Sequence, residues 1–345
     1  MYIKRNFPIR SILNFSGGHL VYLTAYSILT VILYEVFGFT WMAIPWLPVS
    51  LVGTAVAFYV GFKNNSSYDR MWEARKIWGA IVNDSRSWGI GSKHFITDLF
   101  AGQPINESDL KEIRKTMLYR HIAWLYTLRR QLLKPTPWEH LNAGMHIGKL
   151  AKKRMKTYGL GLLKGDIHES NIEGLLSSDD LRNLDSAKNQ ATRLIDLQAE
   201  QLKELRAQGL IDDFRHMELQ KLLNHFYTHQ GKCERIKNYP LPRQYASTSM
   251  VFIAIFIFLL PLGMMAEFAK LGEHFVWLTI PFTAIAGWVY VMMELVGDYS
   301  ENPFEGMGND IPMYSLCRTI EIDLRQMLDE TELPQKIDAV NNVLM

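Results

Sequence analysis

The chain has 345 residues, with 37 Lys and Arg against 35 Asp and Glu, for a net charge of +2. So small an excess argues against nucleic acid as a main partner. The mean hydropathy of −0.04 hides a division between long uncharged stretches and a strongly polar remainder.

From Leu20 to Phe62 the only charged residue is Glu35, and residues 247–266 and 275–293 carry none. A membrane helix needs about 20 mostly apolar residues. Four spans are therefore expected, over about 20–37, 41–62, 247–266 and 275–296, forming two hairpins around a large polar middle. Apolar core helices of a soluble protein rarely come as four uninterrupted runs of this length. The first run is too long for a removable signal peptide and lacks a small-residue cleavage site, so it reads as an uncleaved span.

Lys4, Arg5 and Arg10 precede the first span, and Lys and Arg are dense after Phe62. The connection 38–45 has neither, and the connection between the last two spans has Lys270 set against Glu267 and Glu273. This bias places both termini and the middle in the cytoplasm. The expected organisation is a stub and first hairpin over 1–62 and a cytoplasmic helical domain over 63–246. A second hairpin over 247–297 and a cytoplasmic segment over 298–345 complete it.

The second span is the most informative. It passes without a breaker into a charged, Trp-rich segment and is expected to stay helical to about residue 87. Thr54, Phe58 and Phe62 recur every four residues and share one face. Repeated around an axis, that face makes a narrow apolar throat; on one helix it is ordinary packing. Gly53, Ala57 and Gly61 suit close helix contact under either reading. Asn64, Asn65, Ser66 and Ser67 offer polar groups to a rehydrating ion or simply finish the bilayer region.

The polar middle has a helical pattern without strand-like alternation. A helix is expected over 107–133, ended by Pro135 and Pro137. The region 134–174 is rich in Gly, Lys and His, with a helix expected over 138–157. Ser178 or Asp179 is positioned to cap a long helix ending at Gly209. Its apolar positions are Leu181, Leu184, Ala191, Ile195, Leu202 and Leu205. A further helix covers about 212–232, and Pro240 and Pro242 break the chain before the third span.

Chemistry-bearing residues are few. Arg70 and Glu73 are spaced to pair on a helix. Glu294, Asp298 and Glu301 share a face, as a cation site at the inner mouth or as partners of basic residues such as Arg235 or Arg318. Glu35 and Glu267 are expected to be solvated. His225 and His229, four apart, have metal-ligand spacing, with His216 on the same helix but no evident third ligand. Cys233 and Cys317 lack that spacing and read as reduced structural thiols. No phosphate loop, His-Glu-x-x-His or nucleophile elbow is present. No cofactor or metal is expected. An enzyme reading rests on Glu294, Asp298, Glu301 and Asp310 as a membrane-bound, metal-dependent site. A scaffold whose cytoplasmic helices are the working surface is a third possibility.

Three blocks resemble the bestrophin family of ion channels, in its bacterial branch. The first is 61–79, with Tyr68, Asp69, Arg70, Trp72, Glu73, Arg75 and Trp78. The second is 231–242, with Cys233, Glu234, Arg235, Ile236, Asn238, Pro240 and Pro242. The third is 294–321, with Gly297, Asp298, Glu301, Pro303, Phe304, Asn309, Asp310, Pro312, Arg318 and Glu321. The resemblance implies an all-α membrane protein assembled as a homopentamer in the bilayer, here a bacterial inner membrane. Its four transmembrane helices form two hairpins, joined to a large cytoplasmic helical bundle. A single central pore would pass small ions through a neck lined by the second membrane helix and a cytoplasmic aperture.

Aligned on Phe58-Tyr-Val-Gly61-Phe62, the resemblance makes Thr54, Phe58 and Phe62 the three neck rings. Thr54 departs from the family's branched apolar residue and would make the outer ring easier to wet. The aperture falls on Phe214, after Asp213. The chain between neck and aperture is longer than in relatives, and 134–174 is the implied insertion. Animal relatives bind calcium through an acidic run after Asn-Pro-Phe. Here the stretch from Glu305 to Asp310 lacks the run, and calcium needs about six to eight oxygen ligands, so no calcium gate is expected. The family label is an anion or chloride channel, but some bacterial members prefer monovalent cations, and that alternative stays open. An apolar ring gates by dewetting. Phenylalanine edges favour anions and faces favour cations.

Overall fold

A computed structural model describes residues 1–142, 148–149, 151–153 and 172–345 of the chain. Most of the region 134–174, and half of the helix expected over 138–157, lies outside the described residues. Among the described residues the regular elements are helices, apart from isolated bridges of Val343 to Tyr2 and Val340. Besides short 3-10 turns, they are α1 (Ile9–Glu35), α2 (Trp46–Phe95), α3 (Glu107–Leu133), α4 (Ser178–Asp185), α5 (Gln190–Ala207), α6 (Asp213–Asn238), α7 (Arg243–Ala269), α8 (Thr279–Asp298) and α9 (Met313–Met327).

Several starts have one cause. Pro8, Pro242 and Pro312 occupy the positions just before α1, α7 and α9. Proline has no N–H to donate and keeps the residue before it out of the helical region. This is why the first and third apolar helices begin at Ile9 and Arg243, well before their uncharged cores. The helix expected over 178–209 is instead two. Ser177, not Ser178 or Asp179, caps α4 by accepting from the Asp180 N–H at 3.2 Å. Asn189 opens α5 by accepting from the Thr192 N–H at 3.1 Å. A side-chain acceptor that satisfies the next turn's donors starts a new helix where continuous periodicity suggests one.

The chain divides into two compact units. One comprises Lys4–Arg70 and Pro240–Glu301 and holds α1, the first part of α2, α7 and α8. In it α1 packs on α8 and α7, and α7 on α8. Val49, Val56 and Val60 of α2 meet Ile253, Phe256 and Leu260 of α7. Glycines allow the close approach: a Cβ on Gly53 would fall 2.6 Å from the Phe256 ring, and one on Gly287 3.0 Å from Leu23. Buried polar groups bond across helices, Trp288 Nε1 to Ser16 Oγ at 2.9 Å and Ser27 Oγ to the Thr279 carbonyl at 3.3 Å. The outer surface carries exposed Val21, Leu29, Leu51, Phe258, Phe282 and Ile285.

The other unit comprises Met1–Ile3, Met71–Tyr239 and Asn302–Met345. Its axis is α3, buried at every residue from His121 to Arg129, as a helix must be when neighbours cover all its faces. α5, α6 and α9 pack around it, and Trp78, Trp88, Trp124 and Phe226 fill the centre. Trp124 Nε1 donates to Gln230 Oε1 at 3.1 Å. Glu139 and Lys237 form a buried ion pair. Gly209, at φ +72°, turns the chain between α5 and α6, where a Cβ would lie 2.4 Å from the Phe100 carbonyl oxygen.

Candidate pore site

Along α2 as far as Ser67 the buried positions are Val49, Gly53, Val56, Val60, Lys63 and Ser67. Their alternating spacing of four and three keeps them on one side of a helix with 3.6 residues per turn. Phe58 lies two residues from both Val56 and Val60, about 200° around the helix, and so points away from the packed side. It is 67 % exposed and Phe62 is 69 % exposed; Thr54 is exposed as well. The structure thus brings the three predicted neck residues onto one unpacked strip. With Ala57, Gly61, Asn65 and Tyr290 they border an open concavity of about 570 Å³.

The strip is uncharged. Thr54 donates its hydroxyl proton to the Ser50 carbonyl at 2.9 Å. The rung therefore presents a methyl group and an oxygen acceptor, and is less polar than the sequence alone suggests. Tyr290 donates to the Gly53 carbonyl at 3.1 Å and its ring packs 4.4 Å from that of Phe256. Among the polar residues after the neck, Asn65 borders the concavity. Asn64 instead donates to the Met293 carbonyl at 3.0 Å, and Ser67 is buried.

Sequence reasoning missed the charge directly behind this strip. Lys63 follows Phe62 yet is 2 % exposed. Its ammonium pairs with the Glu294 carboxylate, to which Ser249 Oγ also donates at 2.8 Å. The available signal was the position of Lys63 in the four-three series of packed residues.

Phe214 is 85 % exposed on the first turn of α6. Asp212 caps that helix by accepting from the Arg215 N–H at 2.8 Å. Arg206 holds Asp213 through two bonds of 2.5 and 3.0 Å. The Phe214 ring is thus presented on a helix start anchored by Asp212 and Arg206.

The other candidates are engaged elsewhere. Glu73 pairs with Arg235, while Arg70 donates to the Glu301 carbonyl at 2.9 Å. Arg318 pairs with Glu321 at 3.1 Å. Neither Arg235 nor Arg318 is the partner of Glu294, because Lys63 takes that place; Glu301 pairs with Arg243 at 3.0 Å. Glu267 pairs with Lys270 at 2.7 Å. His229 and His225 lie 2.7 and 3.4 Å from Asp84. Among the described residues no group of three His, Cys, Asp or Glu side chains is placed to hold a metal ion. Cys233 and Cys317 are buried free thiols, and burial pushes Cys317 up to about 12.

Glu305 and Asp310 are buried. Glu305 accepts from His140 at 2.8 and 3.2 Å and from Asn302 at 2.8 Å. Asp310 accepts from the Met307 N–H at 2.9 Å. Burial, and then the neighbouring Glu305, push its carboxyl up to about 7. Glu294, Asp298 and Glu301 belong to one unit and Asp310 to the other, and the ion pairs of Glu294 and Glu301 tie each to a basic side chain.

A family model described as Bacterial/Fungal Bestrophin protein matches residues 11–326. The chain is similar to the voltage-dependent anion channel-forming protein YneE of Escherichia coli K12, 26 % identical over 291 residues, or 84 % of this chain and 79 % of that one. It is 24 % identical to the voltage-dependent anion channel-forming protein alr2987 of Nostoc over 276 residues, 80 % of this chain and 74 % of that one. Among solved structures it is similar to a bacterial bestrophin homolog from Klebsiella pneumoniae, with a TM-score of 0.72 and 20 % identity, covering 91 % of this chain and 98 % of that chain. The fold is the same all-helical one. Four helical stretches here, Ile9–Glu35, Trp46–Phe95, Asp213–Ala269 and His274–Asp298, contain runs long and apolar enough to cross a membrane.

Proposed function

The chain belongs to the bacterial and fungal bestrophin family, and from that premise we propose that it is a homopentameric channel passing small monovalent anions through an apolar neck. The observation that carries this reading is the unpacked strip of Thr54, Phe58 and Phe62, set opposite the packed side of α2. In a lone subunit two exposed phenylalanines facing a concavity have no partner. Around a fivefold axis they close into two aromatic rings and one threonine ring. Such a constriction strips water from a passing ion and conducts only when wetted.

Anions are favoured on two grounds. The similar curated proteins are named anion channels. The strip itself offers no carboxylate, and inward ring edges present positive partial charge. Phe214 forms the second constriction, at the aperture. Residues 1–62 and 247–297 form the membrane hairpins, with both termini, 63–246 and 298–345 in the cytoplasm of a bacterial inner membrane. Opening needs no calcium: the stretch from Glu305 to Asp310 lacks an acidic run, and His140 and Asn302 already hold the Glu305 carboxylate. The ion pairs of Glu294 and Glu301 argue against metal-dependent catalysis.

Purified protein in a planar bilayer under a tenfold KCl gradient tests the reading. A reversal potential of the sign set by chloride is expected, unchanged by calcium chelation. A potassium-signed reversal would overturn the anion assignment. Particles with fewer than five subunits, or with no axial opening, would overturn the channel.

A further inference from the structure

Lysine in a membrane helix normally extends its ammonium toward water. Lys63 does not; it is 2 % exposed and turned onto the packed side of α2. A charge that deep is tolerated only with a counter-charge and hydrogen bonds. Both are supplied here: Glu294 of α8 pairs with the ammonium, and Ser249 of α7 donates to the same carboxylate oxygen at 2.8 Å. One carboxylate thus ties three helices together, one residue beyond Phe62. The next residue repeats the tie, Asn64 donating to the Met293 carbonyl at 3.0 Å. Gly297 leaves the room this needs, since a Cβ there would fall 2.0 Å from Asn64 Oδ1.

We propose that Lys63 and Glu294 are the positioning pair of the neck and that, by balancing each other's charge, they leave its selectivity to the aromatic rings. The inference rests on the pore reading above. Turning α2 would break the ties at Lys63 and Asn64 together, and would swing Phe58 and Phe62 by the same angle because they share that rigid helix. The pair also sums to zero charge, so the aromatic rings rather than a fixed charge set which ion enters. The second oxygen of Glu294, Oε2, is buried with no hydrogen-bond partner among the described residues. Removing Lys63 therefore leaves a poorly shielded anion behind the Phe62 ring, and neutralising Glu294 leaves a bare cation there.

The test is the reversal potential of full-length protein in bilayers under a KCl gradient. Lys63→Met is expected to shift the permeability ratio toward potassium and Glu294→Gln toward chloride. Each shift should exceed about tenfold, which is the effect on a single ion of one unit charge roughly 10 Å away at an effective dielectric of about 20; five copies acting on both ions add to it. The double variant Lys63→Met/Glu294→Gln should return the wild-type ratio while changing open probability, because the balance is restored but the tie is not. Both single variants reversing at the wild-type potential, or both shifting the same way, would overturn the proposal. If Lys63→Met does not assemble, Glu294→Gln, which keeps an acceptor for Ser249, decides alone through its predicted shift toward chloride. Absence of wild-type current would instead refute the pore reading, and is seen before any variant is made.

Discussion

The two units differ in what they turn outward and in what joins their helices. In the unit built on α3, the centre is Trp78, Trp88, Trp124 and Phe226, and most charged side chains lie outside. In the hairpin unit, the interior holds Ser16, Ser27, Thr30, Lys63, Ser249, Thr283 and Glu294, while Phe258, Phe282 and Ile285 face outward. The difference is the solvent. Water rewards an apolar interior by about 25 cal/mol per Å² buried. Hydrocarbon offers no such reward, so helices there associate through small residues and internal polar bonds.

The sharpest way to break this comparison is to truncate a large aromatic in each unit. Trp124→Ala should cost about 3–5 kcal/mol, read as a large drop in melting temperature in detergent. Phe282→Ala, at a half-exposed position facing outward, should cost less than about 1 kcal/mol. Equal losses would mean that both units are stabilised in the same way.

Adding one methyl group separates them further. Gly53→Ala places a Cβ 2.6 Å from the Phe256 ring and should cost about 1–3 kcal/mol through overpacking. Gly79→Ala meets nothing within 4 Å and should be neutral or slightly stabilising, since alanine favours helix. Thermal unfolding of the pair checks both; a harmless Gly53→Ala would show that α2 and α7 do not rely on close approach.

The pH response belongs to the α3 unit. His121 is completely buried, and loss of solvation lowers it to about 3. The unfolded chain, near 6.5, therefore takes up a proton first, and stability falls as pH drops from about 6.5 toward 3. Asp310 acts in the opposite sense: raised from 3.8 to about 7, it binds its proton first in the folded state, so stability rises as pH drops from 7 toward 4. Each contributes about 1.4 kcal/mol per pH unit in its window, and between pH 6.5 and 4 they largely cancel. Asp310→Asn should expose a loss on acidification, and His121→Asn a gain. Parallel melting-temperature profiles for the two variants would rule the account out.

Much of this was legible in the sequence, because it depends on signals longer than any one contact. Uncharged runs mark the apolar helices, and spacing of four places Thr54, Phe58 and Phe62 together. The helix over 107–133 followed from Pro135 and Pro137 at its end. What was not legible depends on single side chains. Asn189 ends one helix and starts another, where leucine spacing alone suggests continuity. Lys63 reads as the first residue outside the membrane because charge is read as exposure. Only its place among Val56, Val60 and Ser67 marks it as buried, and no local signal names Glu294, 231 residues away, as its partner. The hydroxyl of Thr54 reads as polar until its bond to Ser50 is seen.

The central claim is that the unpacked strip of α2 faces an ion path. The native thiols, Cys233 and Cys317, are fully buried, so a single introduced cysteine can be addressed by a charged, thiol-specific reagent during bilayer recording. Phe58→Cys and Phe62→Cys should each lose current irreversibly on adding the reagent, while Val60→Cys, on the packed side, should not. Block at Val60→Cys with no effect at Phe58→Cys and Phe62→Cys would contradict the claim.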